Sequence, residues 1–167
     1  MTVTVNIKEL DGEFGLKMVN GTIGTLTNLG TISASDNYGL FNDQNSTNTA
    51  TIATLINSGT ISAGSNSGLW NDGTITTLTN TDTGNIKAIA GNFGLKNVNG
   101  TIGTLTNSVT ISASGNYGLY NLSLLTTLCS PQPTIRTAQS TANSNTEILS
   151  QDNITTDTTN EHCPTHA

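Results

Sequence analysis

Residues 14–38 read FGLKMVNGTIGTLTNLGTISASDNY, and residues 93–117 read FGLKNVNGTIGTLTNSVTISASGNY. A near-copy of this length marks internal duplication, and it constrains the fold more than any other feature of the 167 residues. Between the two stretches, degenerate copies begin at Gly39 (GLFN) and Gly68 (GLWN), and a fifth begins at Gly118 (GLYN) before the pattern fails. The unit is about 24 to 29 residues, which is the range of solenoid repeats.

Each unit repeats three phrases: GLxN, TIxTLxN, and a GTISA-like phrase closed by Asn or Ser. All three are too short for helices, are rich in Thr and Ile, and are punctuated by Gly and Asn, residues that tolerate corners with positive φ. The expected fold is therefore an all-β solenoid, with three short strands per coil and about four coils. Hydrophobic residues make up only 34% of the chain, too few for one large globular core, so they must be used in register. Four inward columns follow. One runs Leu16, Leu40, Leu69, Leu95, Leu119, and a second Ile23, Ile52, Ile75, Ile102. A third runs Leu26, Leu55, Leu78, Leu105, and the last Ile32, Ile61, Ile86, Ile111. Asn recurs after them at 28, 57, 80, 107 and at 42, 71, 97, 121. Two readings of these Asn columns stay open: amides bonded from coil to coil, or residues chosen only for left-handed turn geometry.

Three segments result. Residues 1–13 alternate like a strand and suit a cap, residues 14–128 form the repeats, and residues 129–167 form a polar, low-complexity tail expected to be disordered. The break at CSPQPTIRTAQS is abrupt, as if a longer repeat array had been interrupted, for instance by a frameshift. With about four coils at roughly 4.8 Å each, the ends of the stack expose strand edges that favour self-association.

The formal charge is −6 with five basic residues, so no basic stripe is available for nucleic acid. No apolar run is long enough to span a bilayer, and MTVTVNIKEL lacks the regions of a signal peptide. No cofactor is expected and no metal site. Glu161, His162, Cys163 and His166 have ligand character, but their segment offers no ordered frame for four ligands. Cys129 and Cys163 lie outside the repeats, and whether they pair stays open. Asp36, Asp43, Asp72 and Asp82 sit near corners and read as turn formers rather than as the converging carboxylates of a polysaccharide-cleaving enzyme. Asp43 and Asp72 occupy equivalent places. The expectation is that the chain is not an enzyme. Sequons at Asn20, Asn45, Asn99, Asn121 and Asn153 are mostly chance matches in so Asn- and Thr-rich a chain.

The Thr pairs Thr25/Thr27, Thr77/Thr79 and Thr104/Thr106 flank the inward leucines, with Thr54/Ile56 in the remaining coil. They form a candidate surface-binding array, and a flat Thr array is the physical basis of ice binding. Unequal coil lengths are expected to stagger it.

The phrases GTIGTLTNLGTISA, LINSGTISAG, GLWNDGTITTLTN and GLYN resemble the passenger repeats of bacterial autotransporters and related surface adhesins. That resemblance covers about residues 14–128 and implies a right-handed β-helix, a secreted or cell-surface location, and inward Ile and Leu in the GTI and TLxN phrases. It also implies a non-enzymatic structural or adhesive role, as a fragment of a longer passenger, with a host surface, a glycan or identical molecules as partners. The chain departs from the family in lacking an export signal and a C-terminal membrane barrel. Ice binding and a non-functional gene fragment are the alternatives.

Overall fold

A computed structural model of the chain describes residues 2–8, 12–45, 49–129, 135–137, 149–150 and 155–156, with side chains for 12–45 and 49–129. The strands are β1 (Thr2–Lys8), β2 (Phe14–Met18), β3 (Gly21–Ala34), β4 (Tyr38–Asn42), β5 (Ala50–Asn57) and β6 (Thr60–Ala63). They continue with β7 (Ser67–Asn71), β8 (Thr74–Asn80), β9 (Asn85–Ala88), β10 (Phe93–Asn97), β11 (Thr101–Asn107) and β12 (Thr110–Ala113). The last are β13 (Tyr117–Asn121), β14 (Leu124–Cys129), β15 (Ile135–Thr137), β16 (Leu149–Ser150) and β17 (Thr155–Thr156). Among the described residues there is no helix, and every strand pairing is parallel.

The architecture is a β-solenoid of about five turns, one more than the sequence suggested. Each turn places one strand on each of three sides. The GLxN strands stack in the order β2, β4, β7, β10, β13, β16. On the second side lie β5, β8, β11, β14 and β17, and on the third β6, β9, β12 and β15. In the first coil both of these sides belong to the single strand β3, whose first half pairs with β5 and whose second half pairs with β6. The two sides therefore join through β3 into one 11-stranded sheet. β1 lies parallel to β3, with Val3 opposite Leu26 and Ile7 opposite Ile32.

The four inward columns are as the repeats dictate. Ile52, Ile75 and Ile102 stack in register, as do Leu26, Leu55, Leu78 and Leu105, and nearly all of these side chains are fully buried. Leu125 and Leu128 extend two of the columns by one coil. Leu16 and Ile23, at the N-terminal ends of theirs, are only partly buried. Each fully buried Leu or Ile contributes about 1.5 to 3 kcal/mol, so a chain poor in hydrophobic residues gains most of its cohesion from these lines.

The Asn columns are amide ladders. The Nδ2 of Asn28 donates to the Oδ1 of Asn57, Asn57 to Asn80 and Asn80 to Asn107, each at 2.8 Å. A second ladder runs from Asn42 to Asn71 to Asn97 to Asn121 at 2.7–2.8 Å. All eight residues are buried, so these bonds satisfy amides that would otherwise destabilise the corners. Both ladders run one way, and the first acceptor of each, Oδ1 of Asn28 and of Asn42, has no partner. Met18 stands in register where the second ladder would begin.

Glycine in the GLxN phrase is needed for close approach. A Cβ on Gly94 would lie 2.7 Å from the Ser112 carbonyl oxygen, and one on Gly39 2.5 Å from that of Ser62. Among the described glycines only Gly21 has positive φ, 92°, so the other glycines serve by small size and not by left-handed backbone. Residues 129–167 lie mostly outside the described residues, but β15, β16 and β17 each continue one side of the coil.

Candidate functional site

On the second side of the solenoid the strand pleat turns Leu26, Leu55, Leu78 and Leu105 inward and the flanking Thr residues outward. The register places Thr25, Thr54, Thr77, Thr104 and Thr127 opposite one another through five consecutive coils. Beside this column runs Thr27, Ile56, Thr79, Thr106 and Cys129. Thr106 is buried, and the other Thr residues of both columns are half-buried. The expected stagger does not occur. Successive Asn residues of the first ladder are 29, 23 and 27 positions apart, yet the strands stay aligned. Differences in length are taken up in the connections, long over residues 43–49 and short over residues 72–73.

The four aspartates are each engaged locally or exposed. Asp36 accepts from Ser65 Oγ at 2.7 Å, Asp43 pairs with Lys17 at 3.0 Å, Asp72 accepts from Trp70 Nε1 at 2.6 Å, and Asp82 is exposed in a turn. Asp43 and Asp72 do occupy equivalent corners, their amides donating to the carbonyls of Met18 and Asn42. Each carboxylate contacts a different residue of the GLxN side. Among the described residues no group of three or more His, Cys, Asp or Glu is placed to hold a metal ion. Glu161, His162, Cys163 and His166 lie outside the described residues, as does the sequon at Asn153. Cys129 is fully buried and disulfide-bonded. Asn20 and Asn99 are exposed, whereas Asn121 is buried at the end of its ladder and is not available as a glycan acceptor.

The structure adds a feature that the sequence reading missed. All seven aromatic residues of the chain line the outer surface of the GLxN side. One column holds Phe14, Tyr38, Ser67, Phe93 and Tyr117, and the next holds Lys17, Phe41, Trp70, Lys96 and Tyr120. Phe14 stacks on Tyr38 and Phe41 with centroids 5.6 and 5.7 Å apart, and Phe93 stacks on Tyr117 at 6.2 Å. Lys96 Nζ sits 3.6 Å above the Trp70 ring and 5.0 Å from that of Phe93, so it joins the two aromatic clusters. Lys17 Nζ lies over Phe14 and Phe41 within one cluster, 4.7 and 5.1 Å from their centroids.

Burial lowers the Lys96 ammonium below its ordinary value, against the opposing pull of Asp72. Burial, then Asp72, Glu13 and Asp36, raise the Tyr38 phenol. Because the rings face one another along the stack, their faces are largely occupied by neighbouring rings and ammonium groups. This stripe therefore works first as a second, outer ladder that ties the coils together. A sequence signal for it exists, an aromatic or Lys residue at the variable position of GLxN and an aromatic just before it. Simple alternation hides it, because that would send Tyr38 to the same side as the inward Leu40.

No known protein family, no curated protein and no solved structure matches this chain. Among the described residues no helix is long and apolar enough to cross a membrane.

Proposed function

We propose that this chain is a non-enzymatic recognition scaffold, a β-solenoid that presents repeated outer columns to an extended surface or glycan at the cell exterior. The observation that carries this reading is the register. Outer side chains recur at the coil spacing through five coils although the coils differ in length. Backbone pairing keeps the faces aligned whatever the connections contain, and a multipoint target can engage outer side chains held at that regular spacing. The engagement of Asp36, Asp43 and Asp72 in turns and in the aromatic stripe supports the non-enzymatic part of the reading. Secretion and an adhesin-like role come from the resemblance of the GTI and GLxN phrases to autotransporter passengers.

Such a face binds by avidity, with many weak contacts acting together. Retention of the intact chain on immobilised polysaccharides and on cell surfaces tests the reading, with soluble competitors added at equal sugar concentration. A polymer should compete at least about tenfold better than its monosaccharide. Equal competition, or no retention on any surface, would refute it.

A further inference from the structure

We infer that the threonine face of the solenoid is an ice-binding surface, a function separate from the recognition reading above. Its ligand is the ordered water lattice of an ice crystal. The central column, Thr25, Thr54, Thr77, Thr104 and Thr127, has no interruption. Thr27 and Thr79 stand beside it, two positions along the strand. Backbone pairing fixes the rows at about 4.8 Å across strands, and two strand residues span roughly 6.6 Å, so the central column presents hydroxyls and methyls in one regular row, with Thr27 and Thr79 beside it in alternate coils.

Three further properties fit this ligand. Thr is stiff at χ1, so the row loses little order to side-chain motion. Each hydroxyl offers one donor and two acceptor positions, three of the four hydrogen bonds that a lattice water makes, and the adjacent methyl orders the water around it. No charged residue lies in β3, β5, β8, β11 or β14, the strands that build the face. A charge there would hold its own hydration shell in a geometry foreign to a crystal. The chain's charged side chains sit elsewhere, for example Lys17, Asp72 and Lys96 on the GLxN side and Lys87 on the third side. An aqueous or glycan ligand of high charge is thereby disfavoured on this face. Ile56 and the buried Thr106 and Cys129 interrupt only the second column.

The test is thermal hysteresis and ice-crystal shape, measured with the full chain in a nanolitre osmometer. Faceted crystals and a concentration-dependent hysteresis gap are expected. Thr77→Lys, at the centre of the column, should remove most of the gap, with a loss on the order of tenfold. Ser112→Lys is the control, because Lys87 already occupies the register-equivalent position on the third side. It should leave the gap unchanged. If Thr77→Lys alters the circular dichroism spectrum, Thr77→Ser asks the same question by removing one methyl, and a reduced gap with an unchanged spectrum is expected. Round, unshaped crystals at millimolar protein, or full hysteresis in both variants at position 77, would overturn the inference. Retention on glycans in the competition assay is a different readout, so either proposal can fail while the other stands.

Discussion

The direction of the amide ladder gives a sharp prediction for Asn71→Asp. Asn71 accepts from Asn42 Nδ2 through its Oδ1, and its own Nδ2 donates to Asn97 Oδ1 at 2.8 Å, to the Gly73 carbonyl at 3.0 Å and to the Thr101 carbonyl at 3.2 Å. Aspartate has the same shape and keeps the accepting oxygen. It loses both donor hydrogens, so an oxygen comes to face three oxygens with no solvent between them. Leaving a buried acceptor unpaired costs about 1–3 kcal/mol. Relief comes from protonating the new carboxyl, which raises its pKa above the ordinary value of about 3.9, and every unit of that rise costs about 1.4 kcal/mol at neutral pH. The expected loss is about 3–5 kcal/mol at pH 7, a large part of the 5–15 kcal/mol typical of a domain.

The pH dependence has a definite sign. A carboxyl whose folded-state pKa is raised binds more protons folded than unfolded, so the variant's deficit is smallest below about pH 4 and grows as pH rises towards the folded pKa. Urea unfolding followed by circular dichroism at pH 3 and pH 7, with the wild type subtracted at each pH, measures this. Asn121→Asp is the internal comparison, since among the described residues Asn121 is the last of its ladder and its Nδ2 donates only to the Ser123 carbonyl, at 2.8 Å. Its cost should be clearly smaller. Equal losses in the two variants, or a deficit at position 71 that does not shrink in acid, would refute the directional ladder.

Leu78→Asp should abolish the cooperative unfolding transition, because it buries an unpaired charge in a column of fully buried side chains. Leu29→Asp, at a site 64% exposed, should change the urea midpoint by less than about 0.5 kcal/mol equivalent. Gly94→Ala should cost about 1–3 kcal/mol in the same assay, since its new Cβ must displace the Ser112 backbone. Trp70 is the chain's one tryptophan, so its fluorescence reports on Lys96. An alkaline titration should show a step below the ordinary lysine value, and Lys96→Met should lack it. Because the Lys96 pKa is depressed on folding, its contribution to stability should rise with pH between its folded and unfolded values.

Inward positions were legible because burial leaves them no freedom. Replacing Ile75 or Leu95 by a polar residue breaks a column, so the repeats of GTI and GLxN spell the core directly. The Asn columns were legible as columns, but turn geometry and ladder bonding predict the same residue there, and only the 2.8 Å bonds between coils separate them. Outer faces were harder for a physical reason. Their order depends on register, and register is set by pairing between residues 23 to 29 positions apart, through connections whose lengths carry no periodic signal. Counting along the chain therefore predicted a staggered threonine array, when backbone hydrogen bonding holds Thr54 opposite Thr77 whatever the loop before it contains. The aromatic stripe escaped for the same cause, compounded by the glycine that breaks alternation between Tyr38 and Leu40. In a solenoid, then, the outward-facing residues are those whose arrangement the local sequence specifies least, because pairing between distant strands sets it.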